Sequence, residues 1–274
     1  MRVIITGGSK GIGRACLESL AKEGHKILFT YHSSCDSAQQ LVNQHEPGLV
    51  KAVHLDQGDF LSIQEFKGHV NDWRNDNSID ALILNAGLGS ATVSKYVSNK
   101  YPDCLNLDKA QIESIEDEAL MRVNSLGPLW LTQALFDALE SNKNQSVVVF
   151  IGSVGGTSQS VFPGFRAADG MSKASIGYLT KLMAAEYPHA QTNFICLSPG
   201  AVDTEMFRTS MLNKMTEAER IEFIQKLPKG QLIEPNEIAG IISWLVNSCS
   251  KRILNGACID ASQGLSVRPG LLTE

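Results

Sequence analysis

The chain has 274 residues, of which 43% are hydrophobic and 19% charged, and its formal net charge is −5. This composition is too apolar for a disordered chain, and a mildly acidic protein is a poor match for nucleic acid. The longest apolar stretch, near residues 238–246, is far shorter than the ~20 residues that span a bilayer, so no membrane partner is expected. The six cysteines lack the spacing of a zinc site, and we expect no metal and buried free thiols in a cytoplasmic protein.

Short apolar runs alternate with amphipathic stretches along the chain. The runs lack polar alternation, which is typical of strands buried on both faces of a parallel sheet. Strands are predicted at residues 3–6, 26–31, 52–55, 81–84, 147–151, 194–197 and 257–260. Helices are predicted at residues 12–23, 62–73, 120–139, 172–186 and 235–246. This order predicts an α/β, doubly wound domain with helices on both faces of a parallel sheet.

Two long segments interrupt this rhythm, at residues 89–118 and 203–234. Long connections in compact domains are often functional loops. The second segment carries Met206, Phe207 and Met211 near its start, and we expect it to form a substrate lid. The alternative is a disordered or purely structural insertion.

A glycine-rich turn, Thr6-Gly7-Gly8-Ser9-Lys10-Gly11-Ile12-Gly13, lies between the first predicted strand and the first predicted helix. Glycines in this position allow the backbone to approach a pyrophosphate, and the helix N-terminus supplies N–H groups and a partial positive charge. The turn therefore predicts a dinucleotide site, although an ordinary glycine turn is the alternative.

Several further motifs follow in order: Asn85-Ala86-Gly87, Asn124, Ser153, Ser172-Lys173-Ala174, Ser198-Pro199-Gly200-Ala201-Val202-Asp203-Thr204 and Asn255-Gly256. Together with the glycine turn they resemble the short-chain dehydrogenase/reductase family over residues 1–264. The resemblance implies a single Rossmann-like domain over residues 1–274, with a seven-stranded sheet in the order 3-2-1-4-5-6-7. It also implies a homodimer or homotetramer that pairs the two long helices.

The resemblance implies an NAD(P)(H) site. The predicted cofactor-binding residues are Gly7, Ser9, Lys10, Gly11, Ile12, Gly13, Tyr31, His32, Ser33, Asp56, Asn85, Ala86, Gly87, Lys173, Pro199, Gly200, Val202 and Thr204. No carboxylate follows the second strand until Asp36, whereas Lys10 and two serines could bind a 2′-phosphate. We therefore favour NADP(H) over NAD(H). Asp56 is either an adenine contact or a turn residue before Gly58.

The family's chemistry implies a Tyr acid, a Lys one helical turn later, a Ser that orients the substrate carbonyl and an Asn that holds a relay water. Asn124, Ser153 and Lys173 match, but Asp169 occupies the Tyr position. An aspartate is ordinarily ionised at neutral pH and is then a poor proton donor. Asp169 could instead be a helix N-cap, transfer protons directly, bind substrate or be an engineered change.

Ser153 and Asn124 also have structural interpretations. Ser153 could be a helix cap or turn serine, and Asn124 could bridge backbone across a helix kink before Gly127. Apolar residues near these motifs hint at an apolar substrate pocket, although they could equally belong to the core: Phe162, Phe165, Met206, Phe207 and Met211.

The leading hypothesis is an NADP(H)-dependent oxidoreductase that acts on a carbonyl or alcohol with an altered acid/base site. One alternative is a cofactor-binding regulatory protein with little or no catalytic activity. Another is a lyase or isomerase that uses the same nucleotide pocket.

Overall fold

The computed structural model describes residues 1–142, 144–156 and 165–267. One parallel sheet of seven strands has the order β3-β2-β1-β4-β5-β6-β7, which confirms the predicted fold class. The strands are β1 Arg2–Ile5, β2 Lys26–Tyr31, β3 Val50–His54, β4 Ala81–Leu84, β5 Ser146–Ile151, β6 Thr192–Pro199 and β7 Cys258–Ala261. Residues 268–274, at the end of the predicted domain, and Phe162 lie outside the described ranges.

The helices are α1 Gly11–Lys22, α2 Cys35–Asn43, α3 Phe60–Arg74, α4 Val93–Lys100, α5 Lys109–Met121, α6 Gly127–Glu140, α7 Ala167–Glu186, α8 Glu205–Ser210, α9 Glu217–Lys226 and α10 Pro235–Asn247. Four of them, α2, α4, α8 and α9, have no counterpart in the predicted helices. The four helices have only six to ten residues and at most three buried side chains each, so each is too short to show a sustained helical period in the sequence.

The sheet separates two hydrophobic cores because successive side chains of a strand point to opposite faces. Ile5 and Ile83 belong to the core that contains α1 and α10. Ile4 and Leu82 belong to the core on the other face, beneath α3, α6 and α7. Residues Ala81–Leu84 of β4 are all buried, which explains the unbroken apolar runs of the sequence.

The long helix predicted at residues 120–139 begins earlier, and that part of the prediction is wrong. Asp108 and Gln111 form a reciprocal capping box, so α5 begins at Lys109. A π-helical turn at Arg122–Leu126 then joins α5 to α6. The segment 89–118 therefore contains α4 and most of α5.

Two other expectations need correction. The helix predicted to begin at residue 172 begins at Ala167, after the extended backbone of Arg166. Three of the six cysteines are buried, but three are exposed because they lie on polar surfaces or at an edge strand: Cys35, Cys249 and Cys258. Within the described ranges, no helix is both long enough and apolar enough to cross a bilayer.

Candidate active site

A cavity of about 570 Å³ opens where the parallel strands end. The loops that follow β1 to β6 all contribute to its wall, because the carboxyl ends of parallel strands meet at one edge of the sheet. Seventeen of the eighteen predicted cofactor-binding residues line the cavity, and Gly13 does not. Of the predicted catalytic residues, Ser153, Asp169 and Lys173 line it, whereas Asn124 lies behind the wall.

The glycine turn forms a backbone cradle at the start of α1. Gly7 has a φ of +66°, and a Cβ there would lie 3.0 Å from the Cα of Ala86. Gly11 has a φ of +53°, and its missing Cβ leaves space beside Thr204. Lys10 occupies the N-cap without a side-chain cap, so the first turn of α1 keeps N–H groups for an anion. The cradle fits a dinucleotide pyrophosphate.

Gly13 acts behind the cradle. A Cβ at this position would lie 2.3 Å from the Gly7 carbonyl oxygen and 2.5 Å from Asn85 Nδ2. Asn85 Nδ2 itself donates to the carbonyl oxygens of Thr6 and Gly7 at 3.0 and 3.1 Å. Gly13 and Asn85 therefore fix the position of the turn through contacts with its backbone.

A polar and aromatic cluster lies at the end of β2 and β3. The His32 ring lies 5.4 Å from Tyr96 and 5.7 Å from His54, measured between ring centroids. Asp56 accepts hydrogen bonds from Lys100, from the Tyr96 hydroxyl at 2.9 Å and from the Gly58 N–H at 3.0 Å. The turn contact with Gly58 is thus present, and the carboxylate also has two partners that sequence reasoning missed.

Asp56 is held in its ionised form. Burial alone would raise the pKa of its carboxyl group, but the hydrogen bonds from Lys100 and Tyr96 outweigh that effect and lower the pKa. The Tyr96 phenol is affected in the opposite direction, since burial and the neighbouring carboxylate both raise its pKa.

Lys10 has an acidic neighbour that the sequence did not reveal. Its Nζ lies 2.8 Å from Glu205 Oε2, and both side chains are at least half exposed. Glu205 is the first residue of α8, so the pair spans the cavity mouth between the glycine turn and the segment 203–234. Because the pair is exposed and screened by solvent, another anion could readily replace Glu205 as the partner of Lys10.

Asn124 lies in the π-helical turn and is almost fully buried. Its side chain bonds to both backbone groups of Leu88, accepting from N–H at 2.8 Å and donating to the carbonyl at 2.9 Å. It also donates to Ser172 Oγ at 3.0 Å. Asn124 therefore bridges to backbone, as its structural interpretation expects, and the backbone groups are those of Leu88. It also lies close to Lys173, because a Cβ on Gly87 would lie 3.1 Å from both Asn124 Oδ1 and Lys173 Nζ.

Asp169 is not the N-cap of α7, and that interpretation is wrong. The N-cap is Arg166, and Asp169 lies within the first turn of the helix. Its Oδ2 accepts hydrogen bonds from both the N–H and the hydroxyl of Ser90, each at 2.8 Å. Ser90 Oγ in turn accepts from the Arg166 N–H at 3.0 Å. A tertiary contact, rather than local capping, thus holds the carboxylate.

Lys173 and Ser153 line the cavity together with Asp169. Desolvation lowers the pKa of the Lys173 ammonium, and the nearby Asp169 carboxylate acts in the opposite direction. Ser153 Oγ accepts from the Gly155 N–H at 3.1 Å, so it is a turn serine that also faces the cavity.

Sequence reasoning missed several residues of the cavity wall. Ser90 and Gln57 gave no motif signal, although Gln57 Nε2 donates to the carbonyl oxygens of Ala86 and Val123. The apolar residues Phe165, Met206, Phe207 and Met211 do line the cavity.

The comparisons with known proteins agree with this geometry. The family model described as short chain dehydrogenase matches residues 1–214. The chain is 27% identical to the 3-oxoacyl-[acyl-carrier-protein] reductase MabA of Mycobacterium tuberculosis over 266 residues, which are 97% of this chain and 92% of the relative. It is 25% identical to the galactitol 2-dehydrogenase of Rhizobium johnstonii, with 97% and 95% covered.

Solved structures share the fold. The Pseudomonas aeruginosa RhlG/NADP complex has a TM-score of 0.78 at 21% identity and covers 97% of this chain and 96% of its own. BdcA in complex with NADPH has a TM-score of 0.73 at 22% identity, with 96% and 93% covered. From the family match over most of its length, the chain belongs to the short chain dehydrogenase family.

Proposed function

We propose that the protein is an oxidoreductase that transfers a hydride between NADP(H) and the carbon of a carbonyl or alcohol substrate. The observation that carries this proposal is a single cavity that runs from the glycine turn of α1 to Ser153 and Lys173. When bound there, a nicotinamide would supply or accept the hydride. The named relatives are oxidoreductases, which supports the same reaction class.

The proposed preference for NADP(H) depends on charge at one end of the cavity. Lys10, Ser9 and Ser33 line this end and offer a cation and hydroxyl donors to a 2′-phosphate. A phosphate dianion would compete with Glu205 for the Lys10 ammonium, and the exposed pair costs little to separate.

Binding of NADPH and NADH to variants tests this preference. We expect Lys10→Ala to weaken NADPH binding by roughly 10- to 100-fold, since a charge-assisted hydrogen bond contributes about 1.5–3 kcal/mol. NADH binding should change little. Glu205→Gln is the matched variant and should leave NADPH binding equal or tighter. An equal loss for both cofactors in Lys10→Ala would refute the proposed preference.

The proposed roles at the other end follow from side-chain chemistry. Ser153 would donate a hydrogen bond to a substrate oxygen, and Lys173 would hold the nicotinamide ribose and add positive charge. Asn124 is a positioning residue, since it ties the Leu88 backbone to Ser172. Asp169 places a carboxylate where the family resemblance implies a phenol, so acid catalysis at this position would be weak.

A second candidate function is cofactor binding with little or no turnover. The observation that favours it is the contact between Asp169 and Ser90, which engages the carboxylate in two hydrogen bonds. A regulatory protein of this kind would keep the cofactor-binding cradle and would have no proton donor at the position of the family's Tyr.

One series of measurements separates the candidates. NADPH binding is followed by fluorescence, and NADPH oxidation is then measured against a panel of ketones and aldehydes. Oxidation by the natural protein supports the oxidoreductase. Binding without oxidation, together with oxidation in Asp169→Tyr, supports the second candidate. Substrate conversion without net NADPH consumption would favour a lyase or isomerase, and failure to bind any dinucleotide would refute all three.

Further proposals concern the surroundings of the site. We propose that residues 203–234 act as a substrate lid, because Met206 lines the cavity and its Sδ would lie 3.4 Å from a Cβ on Gly89. We also propose that the protein is cytoplasmic. It would form a homodimer or homotetramer in which the α5–α6 and α7 helices pair between subunits, and a measurement of the molecular mass in solution would test this assembly.

A further inference from the structure

The end of the cavity lined by Ser153, Asp169 and Lys173 contains a carboxylate oxygen that has no partner among the described residues. Asp169 is only 4% exposed and lines the cavity. Its Oδ2 takes both hydrogen bonds from Ser90, whereas Oδ1 accepts none from the described residues. Among the described residues, Gln57 Oε1 is the only side-chain nitrogen or oxygen atom that is both fully buried and without a hydrogen-bond partner. Since Oδ1 of Asp169 has no such partner either, it must be accessible from the cavity. The free oxygen is therefore open to a ligand in the cavity.

Lys173 does not neutralise this oxygen by direct contact. Within the described chain, Asp169 takes part in no ion pair at 4.0 Å or less, although Lys173 is close enough to feel its charge. A carboxylate that lacks an ion-pair partner and opens into a cavity is suited to a ligand with positive charge.

An aromatic side chain packs against Gly170, the residue that follows Asp169. The Phe165 ring packs against two glycines, with Cζ 2.9 Å from the position of a Cβ on Gly155 and Cε1 3.2 Å from that on Gly170. Phe165 and Met206 both line the cavity, and a Cβ on Gly89 would lie 3.4 Å from Met206 Sδ and 3.9 Å from Asp169 Oδ2. A cavity that combines a carboxylate with an aromatic ring and a thioether is a suitable environment for an organic cation.

No tyrosine of the described chain lines this same end of the cavity. The two tyrosines that line the described part of the cavity, Tyr31 and Tyr96, lie at the β2–β3 end, where Tyr96 is bonded to Asp56. A carbonyl needs a proton as it accepts a hydride, whereas an iminium carbon does not. A substrate that already carries positive charge would therefore suit a site with an anion in place of an acid.

We propose that the site accepts cationic imines and reduces them to amines, with Asp169 as the residue that binds the positive nitrogen. The inference depends on the proposed NADP(H)-dependent hydride transfer. In the step, a hydride forms a C–H bond at the iminium carbon, and the π electrons of the C=N bond become the nitrogen lone pair. NADPH is oxidised to NADP⁺, the iminium is reduced to a neutral amine, and no proton is required.

Two cyclic probes of similar size test the substrate class. N-methyl-3,4-dihydroisoquinolinium is a permanently charged iminium, and 1-tetralone is a neutral ketone. We expect the iminium to be reduced with a kcat/KM at least about tenfold above that of the ketone, after subtraction of the rate without enzyme. Comparable values, or reduction of the ketone alone, would overturn the inference and leave the proposed function intact. Failure to bind NADPH would overturn both.

Binding of a non-reducible cation gives a readout independent of turnover. Calorimetry with 2,2-dimethyl-1,2,3,4-tetrahydroisoquinolinium and the NADP⁺-loaded protein should show binding that Asp169→Asn weakens by roughly 30-fold or more, as expected for loss of a buried charge partner. The amide keeps the shape and can still accept from Ser90. Asp72→Asn, the same change at an exposed helix position, should bind the cation as the natural protein does.

A second variant guards against misfolding of Asp169→Asn. Phe165→Leu keeps apolar volume but removes the aromatic face, and should weaken cation binding by roughly 2- to 30-fold. NADPH affinity should stay unchanged in all three variants. Undiminished cation binding in Asp169→Asn with intact NADPH binding would overturn the inference, as would binding of the N-methyl-3,4-dihydroisoquinolinium probe without its reduction.

Discussion

Gly13 offers a direct test of how the cradle is built. An alanine Cβ there would lie 2.3 Å from the Gly7 carbonyl oxygen, about 1 Å inside the normal carbon–oxygen contact distance of roughly 3.3 Å. Neither the Gly7 backbone nor Asn85 can yield easily, since Asn85 is bonded to the turn. Overpacking of this kind costs about 1–3 kcal/mol. We therefore expect Gly13→Ala to destabilise the protein and to displace the cradle.

Gly68 provides the matched control. It lies within α3, and an added Cβ would meet no atom within 4 Å. Gly68→Ala should raise the free energy of unfolding by about 0.5–1 kcal/mol, because alanine has the higher helix propensity. The same favourable contribution applies to Gly13→Ala. The difference between the two variants therefore isolates the contact, at about 1–3 kcal/mol or roughly 2–12 °C in Tm.

Thermal unfolding by circular dichroism measures the stability difference, and NADPH fluorescence measures the cradle. We expect NADPH binding to weaken by roughly tenfold or more in Gly13→Ala and to be unchanged in Gly68→Ala. Equal Tm values for the two variants would refute the packing argument. A lower Tm with unchanged NADPH affinity would instead refute the role of the turn in cofactor binding.

Two further predictions concern titratable groups. Because the pKa of Asp56 is lowered in the folded state, its ionisation adds stability above the unfolded pKa, and that stability is lost as the pH falls through the folded pKa. In urea unfolding, the advantage of the natural protein over Asp56→Asn should be full at pH 6 and shrink below about pH 3.9; an advantage that persists undiminished at pH 2 would contradict this assignment. Among the cysteines, burial raises the pKa of Cys16 to about 12 and of Cys196 to about 11, so these thiols should be inert to Ellman's reagent. In the native protein only the three exposed thiols should react rapidly, and all six in denaturant; rapid labelling of six in the native state would contradict the burial.

The interpretation of Asp169 shows where local reasoning stopped. An aspartate before a Gly-Met-Ser sequence is a plausible N-cap, because Asp often caps helices through contacts within a few residues. The structure instead starts α7 at Ala167 and bonds the carboxylate to Ser90, which is 79 residues away in sequence. No pattern near either residue indicates that contact.

The helix that contains Asn124 illustrates a related limit. Its apolar periodicity predicts a helix, but not the earlier start at Lys109 or the π-helical turn. The π-helical turn directs the Asn124 side chain toward Leu88 and Ser172. The role of this residue therefore depends on three chain segments that are remote in sequence.

The sequence by itself determined the parallel strands and the glycine cradle, and the family that its motifs resemble implied the strand order and much of the cavity wall. The strands and the cradle follow from short-range patterns: buried parallel strands are continuously apolar, and a helix that begins after a glycine turn presents its N–H groups to an anion. Only the tertiary structure decided which charges meet, as in the pairs Lys10–Glu205 and Asp56–Lys100 and in the contact of Asp169 with Ser90. Charge pairing depends on distances between loops that are remote in sequence, and those distances exist only after the sheet has brought the strand ends together.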